Sequence, residues 1–379
     1  MKFLENMIAI GLVCCFSAGW AQNSPDFKGQ FSAWGHFNPE NTLPFWSGAR
    51  YLPQLNYRLG ADDGSLIDFE ASTNLYGNMG FELFDSAHVD GDLKPYRLWA
   101  RYSTQQFELR AGLQKINFGS ASLLRPLMWF DQLDPRDPLQ LTDGVWGILG
   151  RYYFLNNANA WLWVLYGNKN PKGWESMKTN RNIPEIGGRL QMPLPNGEAA
   201  VSYHYRVADS RELAETEFQF AKIAENRLGF DAKFDRVVGY WLEASWTGKS
   251  KDMGSLTHQE IINVGMDYTF GLGNGLTMTF EQLVAAFDEK AFQFEEPVTF
   301  SLLNLSYPVD LIDNLGLIVY YDWTNQQTYN FVNWQKKFNN ISLFLMGYVN
   351  PKKYNIPTPG ARENLYAGSG LQLMFVYNH

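Results

Sequence analysis

Few side chains in this 379-residue sequence are typed and spaced for making bonds, whereas many could hold charge in rows. The five histidines, His36, His88, His204, His258 and His379, stand in no recognisable catalytic motif. His204 shares a strand face with Ser202, but that two-residue spacing arises in any alternating strand. Acyl transfer needs a nucleophile, a base and a group that orients the base, and no such trio can be drawn. Cys14 and Cys15 are the only cysteines, and both fall in the apolar N-terminal segment. Disulfides, thiol nucleophiles and cysteine metal sites are therefore excluded from the rest of the chain. Metal-ligand spacing is absent, and Gly271-Leu272-Gly273-Asn274-Gly275 reads as a hairpin turn, not a phosphate cradle. No enzyme, cofactor or metal centre is expected.

The charged residues point to a different chemistry. Arg97, Arg101, Arg110, Arg151, Arg189 and Arg206 fall on one face of alternating segments in the first half of the chain. Asp231, Glu243, Asp267, Glu281 and Asp322 occupy the same face in the second half. Between them runs the longest connection, Phe118–Asp143, with Leu123, Leu124, Leu127, Met128, Trp129 and Phe130 beside Arg125, Asp131, Asp134, Arg136, Asp137 and Asp143. Pro126, Pro135 and Pro138 stiffen it by fixing φ. A loop this apolar should fold inward and form a constriction; the alternative is a rim loop with its charges paired internally. Guanidinium rows match carboxylate and phosphate, and unlike charges on facing walls of a narrow aqueous passage create a transverse field. Equally, the arginines could pair with Glu108, Glu185 and the loop aspartates and simply tie the walls together.

Such rows need strands to carry them, and period-two alternation dominates the chain. In Gln106–Gln114, Phe107, Leu109, Ala111 and Leu113 alternate with Glu108, Arg110 and Gly112. Eighteen strands can be drawn, sixteen being the nearest alternative, and after every second one comes a tight turn such as 61–64, 156–158 or 193–197. The intervening connections are long: 77–93, 118–143, 169–181, 208–225 and 350–363. Strands descending to the short turns end in outward aromatics, Tyr57, Tyr102, Phe154, Phe234, Phe270, Tyr307 and Phe338. Short turns on one rim, long loops on the other and an aromatic belt are the outer-membrane barrel pattern. A soluble all-β protein shares the alternation but has no use for the belt. Aromatic content of 16% with slightly negative mean hydropathy agrees, and the net charge of −8 argues against a nucleic-acid partner.

Residues 1–21 read as a cleaved secretory signal: Lys2, the apolar run Met7–Phe16, and Gly19-Trp20-Ala21 before Gln22. Acylation at Cys15 is the competing reading. Residues 22–379 are expected to be one barrel domain whose first strand begins too early to leave room for an N-terminal plug. The final strand, Gly368–His379, looks like an outer-membrane assembly signal that ends in Asn-His where an aromatic is usual.

At Leu109-Arg110-Ala111-Gly112-Leu113-Gln114-Lys115-Ile116-Asn117-Phe118-Gly119, followed by Arg125-Pro126 and Asp134-Pro135-Arg136-Asp137-Pro138, the chain resembles porin-like outer-membrane proteins. Uncharacterised barrels of the Bacteroidota are the nearer likeness, and the alginate-export and phosphate-selective porins a distant one. The match covers roughly 35 residues; beyond them the similarity is one of pattern. It implies a monomeric or trimeric channel for small polar solutes, in contact with outer-membrane lipid and lipopolysaccharide. The sequence has no lysine ladder of the phosphate-selective kind. A structural or accessory barrel with an occluded lumen, serving a larger outer-membrane assembly, is the competing class.

Overall fold

In the computed structural model, which describes residues 24–82, 87–213, 219–352 and 365–379, the alternating segments join into one antiparallel sheet. Its strands are β1 (Asp26–Phe37), β2 (Phe45–Gly60), β3 (Leu66–Phe81), β4 (Ala87–Ser103), β5 (Phe107–Gln114), β6 (Val145–Tyr153) and β7 (Asn159–Leu165). After β8 (Lys178–Thr179) come β9 (Glu185–Leu194), β10 (Gly197–Asp209), β11 (Ile223–Asp235), β12 (Gly239–Lys249) and β13 (His258–Phe270). The wall continues through β14 (Leu276–Asp288), β15 (Val298–Pro308), β16 (Asp313–Asp322), β17 (Gln327–Lys337), β18 (Ile341–Val349) and β19 (Ser369–Asn378). β8 is a two-residue strap on the end of β10, and β9 pairs directly with β7, so the wall has eighteen strands. β1 pairs with both β2 and β19. The sheet therefore closes on itself, which satisfies the edge hydrogen bonds that lipid cannot. The expected signal at residues 1–21 lies outside the described residues.

Side-chain chemistry decides which face points where. On β11 and β12, Asp231, Glu243, Ser245 and Thr247 are buried inside, while Leu228, Phe230, Tyr240 and Leu242 are exposed outside. A water-soluble domain would do the reverse. Apolar outside and polar inside is what lipid around a wide barrel selects. At the short-turn rim Tyr152 stacks edge-on with Phe154 and Tyr268 with Phe270, at 4.9 and 4.8 Å between ring centroids. The turns are tight enough to need left-handed residues, supplied by Asn157 (φ 65) and Asn196 (φ 62).

One long loop expected from the sequence is instead a hairpin. Residues 77–93 read as a connection because Gly77, Gly80, Gly91, Asp90 and Asp92 are poor strand formers. Yet β3 runs on to Phe81 and β4 begins at Ala87. Alternation overrides propensity there: Leu75, Met79, Val89 and Leu93 face outward, with Tyr76 and Asn78 inside. Strand β5 stops at Gln114, where the alternation read from the sequence also stops. At Gly112 (φ 122) a Cβ would strike the Leu98 carbonyl, so only glycine permits that pairing.

Candidate functional site

The connection between β5 and β6, residues 115–144, turns into the barrel and crosses it. Its backbone is held from the far wall. Glu243 on β12 accepts the N–H groups of Ala121 (2.7 Å) and Leu127 (2.6 Å). Glu281 on β14 accepts those of Ser122 (2.7 Å), Leu123 (3.1 Å) and Leu124 (2.5 Å). The Ser120 hydroxyl donates to Asp231 (2.9 Å), and the Trp129 indole N–H to Ser245 (3.0 Å). The wall carboxyl groups thus replace the water that a loop backbone normally requires.

Apolar packing holds the same loop from both sides. Phe118, Leu127, Trp129 and Phe130 are buried with Leu149, Trp163 and Leu165 of β6 and β7. Leu124 enters a second cluster on the opposite wall, with Leu283, Phe300, Leu302, Tyr320, Tyr329 and Phe331. Those wall residues are inward-facing and essentially inaccessible, so loop and wall fill that half of the lumen. Within the loop, Arg125 reaches Asp131 (3.1 Å) and the Phe118 carbonyl (2.8 Å). Arg136 reaches Asp134 (2.7 and 2.6 Å) and lies over the Tyr366 ring at 4.9 Å. Asp137 accepts the Leu139 N–H at 2.9 Å, yet burial pushes its carboxyl above the usual range. Burial also lowers the Lys115 ammonium.

A second inward segment was not anticipated. Residues 166–184, between β7 and β9, pack against the first loop, and the Trp174 indole donates to the Arg125 carbonyl at 2.9 Å. Glu175 bonds Arg206 (2.9 Å) and Arg227 (2.7 Å), which also share Glu225. Beside this cluster lies a cavity of about 10 Å³, room for a single water. The signal available in the sequence was Gly173-Trp174-Glu175, an aromatic in an otherwise polar connection. Gly173 (φ 48) is required because a Cβ there would land on the Met128 carbonyl of the first loop.

The arginines singled out from the sequence divide by position. Arg97 is buried and spent on the Tyr96 and Thr142 carbonyls (2.5 and 3.0 Å), which clamps the end of the loop. Arg189 meets Asp231 at 2.5 and 2.9 Å, and Arg206 meets Glu225 at 2.6 and 3.0 Å. Three others are half-buried round one acid. Glu108 receives Arg110 (3.1 Å), Arg101 (3.4 Å) and Arg151 (3.5 Å), while Arg101 also binds Asp68 at 2.8 Å. Trp99 lies 4.8 Å from the Arg110 guanidinium, and Trp161 lies 3.9 Å from that of Arg151. Glu185, named beforehand as an arginine partner, instead takes Lys172 (3.3 Å) and His204 (3.2 Å). His204 and Ser202 do not meet as base and nucleophile: His204 receives the Trp163 N–H (3.1 Å), and Ser202 bonds Arg189 (3.2 Å). On the acidic side, Asp322 caps its own turn through Thr324 and Asn325, and Asp267 is half-buried toward the short-turn rim.

The closed antiparallel sheet is a shape found in solved proteins. The fold is that of the outer-membrane porins. The anion-selective porin from Comamonas acidovorans superposes with a TM-score of 0.51 at 12% identity, over 94% of this chain and 100% of that one. Pseudomonas aeruginosa OccD3 (OpdP) gives 0.56 at 9% identity, over 94% and 91%. OpdQ of the same organism gives 0.56 at 8%, over 95% and 99%. No protein-family model matches the chain, and none of the curated proteins matches it in sequence. Common architecture at such low identity is a statement about fold alone.

Proposed function

We propose that the chain is an outer-membrane porin that lets small hydrophilic solutes diffuse passively along the side of its lumen that carries Arg101, Arg110 and Arg151. The observation that carries this reading is the asymmetry of the constriction. Glu243 and Glu281 hold the crossing loop against the far half of the barrel. The opposite wall keeps Arg101, Arg110 and Arg151 partly accessible round Glu108, with 25%, 15% and 16% of their side chains exposed. With Asp68, Glu70 and Glu108 against Arg97, Arg101, Arg110 and Arg151, that cluster carries one excess positive charge, which favours anions in a narrow, low-dielectric passage. The Comamonas protein, anion-selective by name, offers a precedent for such a barrel. Lipid and lipopolysaccharide would surround the apolar exterior, and no catalytic role is assigned to any residue. Conductance and reversal potential in planar bilayers test this: discrete steps with anion preference are expected, and a protein that inserts without conducting refutes it.

One observation favours the competing class. Phe300, Leu302, Tyr320 and Tyr329 are completely buried on the lumenal face, so this half of the barrel is sealed. A seal extended across the other half would make the protein an accessory barrel, a plugged subunit of a larger assembly.

A further inference from the structure

Near the long-loop ends of β1–β4, the lumenal face carries an arrangement that the constriction does not use. Trp34 on β1 pairs in register with Gly48 on β2, and Trp46 on β2 with Gly80 on β3. A Cβ at Gly80 would sit 2.6 Å from Cε2 and from Cζ2 of Trp46 and 2.8 Å from its Cδ2. Near-equal distances to three ring atoms mean that the indole lies flat on the glycine, with the His88 ring 6.3 Å away and tilted by 58°. A Cβ at Gly48 would likewise meet Cε2 of Trp34 at 2.6 Å. Gly48 and Gly80 are diagonal neighbours, which places the two plates roughly 7–8 Å apart.

Two other inward-facing tryptophans also lie on glycines, but they are consumed by the structure. Trp163 on Gly187 and Trp241 on Gly265 are buried, with their N–H groups held by His204 and Asn263. Trp34 and Trp46 remain half-buried. Polar groups frame them. Asn78 and Asp90 continue the register row of Trp34 and Gly48, and Arg50 sits 5.5 Å from the Trp34 ring. The buried Asn74 carries an Oδ1 with no hydrogen-bond partner. Acidic charge is in excess: Asp90 and Asp92 share the face with Arg50 and Lys94, but Lys94 is itself bound to Asp143 at 2.6 Å.

We infer that this face is a docking platform for an uncharged saccharide at the mouth of the pore. The apolar C–H face of a pyranose is electron-poor and stacks on an electron-rich indole, by the same electrostatics that draw cations and ring edges to aromatic faces. Amide and carboxylate groups at the rim then pair with the hydroxyls, which need both donors and acceptors. An organic anion would meet Asp90 and Asp92, and a flat aromatic ligand would leave those polar groups unpaired. The platform rests on the diffusion reading, because it names the class of solute that the mouth would collect.

Calorimetric titration of the purified barrel with maltohexaose, cellohexaose and chitohexaose tests it, alongside bilayer current recordings with the same sugars. At least one sugar should bind and interrupt the ion current. Affinity should fall tenfold or more in Trp34→Ala and Trp46→Ala, and by less in Gly80→Ala, which lifts one ring without removing it. Trp46→Phe keeps a flat ring and guards against misfolding of the alanine variant; it should retain most of the affinity. A conducting channel that binds none of the three sugars, or sugar binding unchanged in all four variants, overturns the platform and leaves the pore standing. Tighter binding of benzoate than of any sugar also overturns it. Sugar binding without conductance keeps the platform and refutes the pore.

Discussion

The carboxylate of Glu281 stands 2.5 Å from the backbone nitrogen of Leu124, joining the middle of a 30-residue inward connection to the barrel wall (residues 115–144). Two neighbouring amides share the same carboxylate, and Glu243 repeats the device for Ala121 and Leu127. The loop's place in the lumen thus depends on two acids rather than on apolar packing alone.

Replacing Glu281 by Gln swaps an acceptor-only group for one that presents N–H donors to N–H donors. Losing hydrogen bonds of about 0.5–1.5 kcal/mol each should loosen the loop. Glu281→Gln is expected to raise single-channel conductance and add rapid flicker, and Glu243→Gln to do so less, having two amides to lose rather than three. Records indistinguishable from the parent would show that packing alone seats the loop.

Gly173 is the point at which the second inward segment meets the first. A methyl group there must displace the Met128 carbonyl, and forced displacements of this kind cost about 1–3 kcal/mol. Gly173→Ala should lower the thermal midpoint of the folded barrel by several degrees. It should also expose the 166–184 segment to protease. Protection equal to the parent's would mean that the two segments are not coupled.

Charge at the narrow wall can be counted and changed. Arg97, Arg101, Arg110 and Arg151 against Asp68, Glu70 and Glu108 leave one positive charge; Arg101→Ala with Arg110→Ala leaves one negative. Reversal potentials in a potassium chloride gradient should move toward cation preference, whereas Glu108→Gln should move them the other way. An unchanged permeability ratio in both variants would remove the arginines from the conduction path.

Asp137 gives the loop a pH dependence of definite sign. Burial raises its folded-state pKa above the unfolded value, so the seated loop favours the protonated acid. That stabilisation is complete below the ordinary carboxylate pKa of about 4 and disappears as the pH rises through the higher folded value. Asp137→Asn should therefore flatten the pH dependence of loop protection against protease in mildly acid solution. An equal slope in parent and variant would show that some other group sets it.

Much of this was legible in the chain. Strand number followed from alternation such as Phe107, Leu109 and Ala111 against Glu108 and Arg110, because period two survives any tertiary context. Phe118–Asp143 advertised its inward fold through Leu124, Trp129 and Phe130, side chains too costly to leave in water. What stayed hidden were partnerships across the lumen. Whether Glu281 faces an arginine or a backbone amide depends on barrel shear and loop path, which no spacing along one strand encodes. Glycines misled at the β3–β4 hairpin because Gly80 and Gly91 read as breakers, although Gly80 is the floor on which Trp46 lies. Trp174 was passed over because a lone aromatic in a polar loop has no period to reveal it.

The central claim is that a water-filled passage remains beside the seated loop, and single-channel recording of the purified, heat-modifiable barrel tests it most directly. With the loop intact, discrete conductance steps with anion preference are predicted, growing larger when residues 120–141 are deleted. Correctly folded protein that inserts but conducts nothing with the loop intact, and begins to conduct only after that deletion, would contradict it: the loop would then be a stopper rather than a constriction.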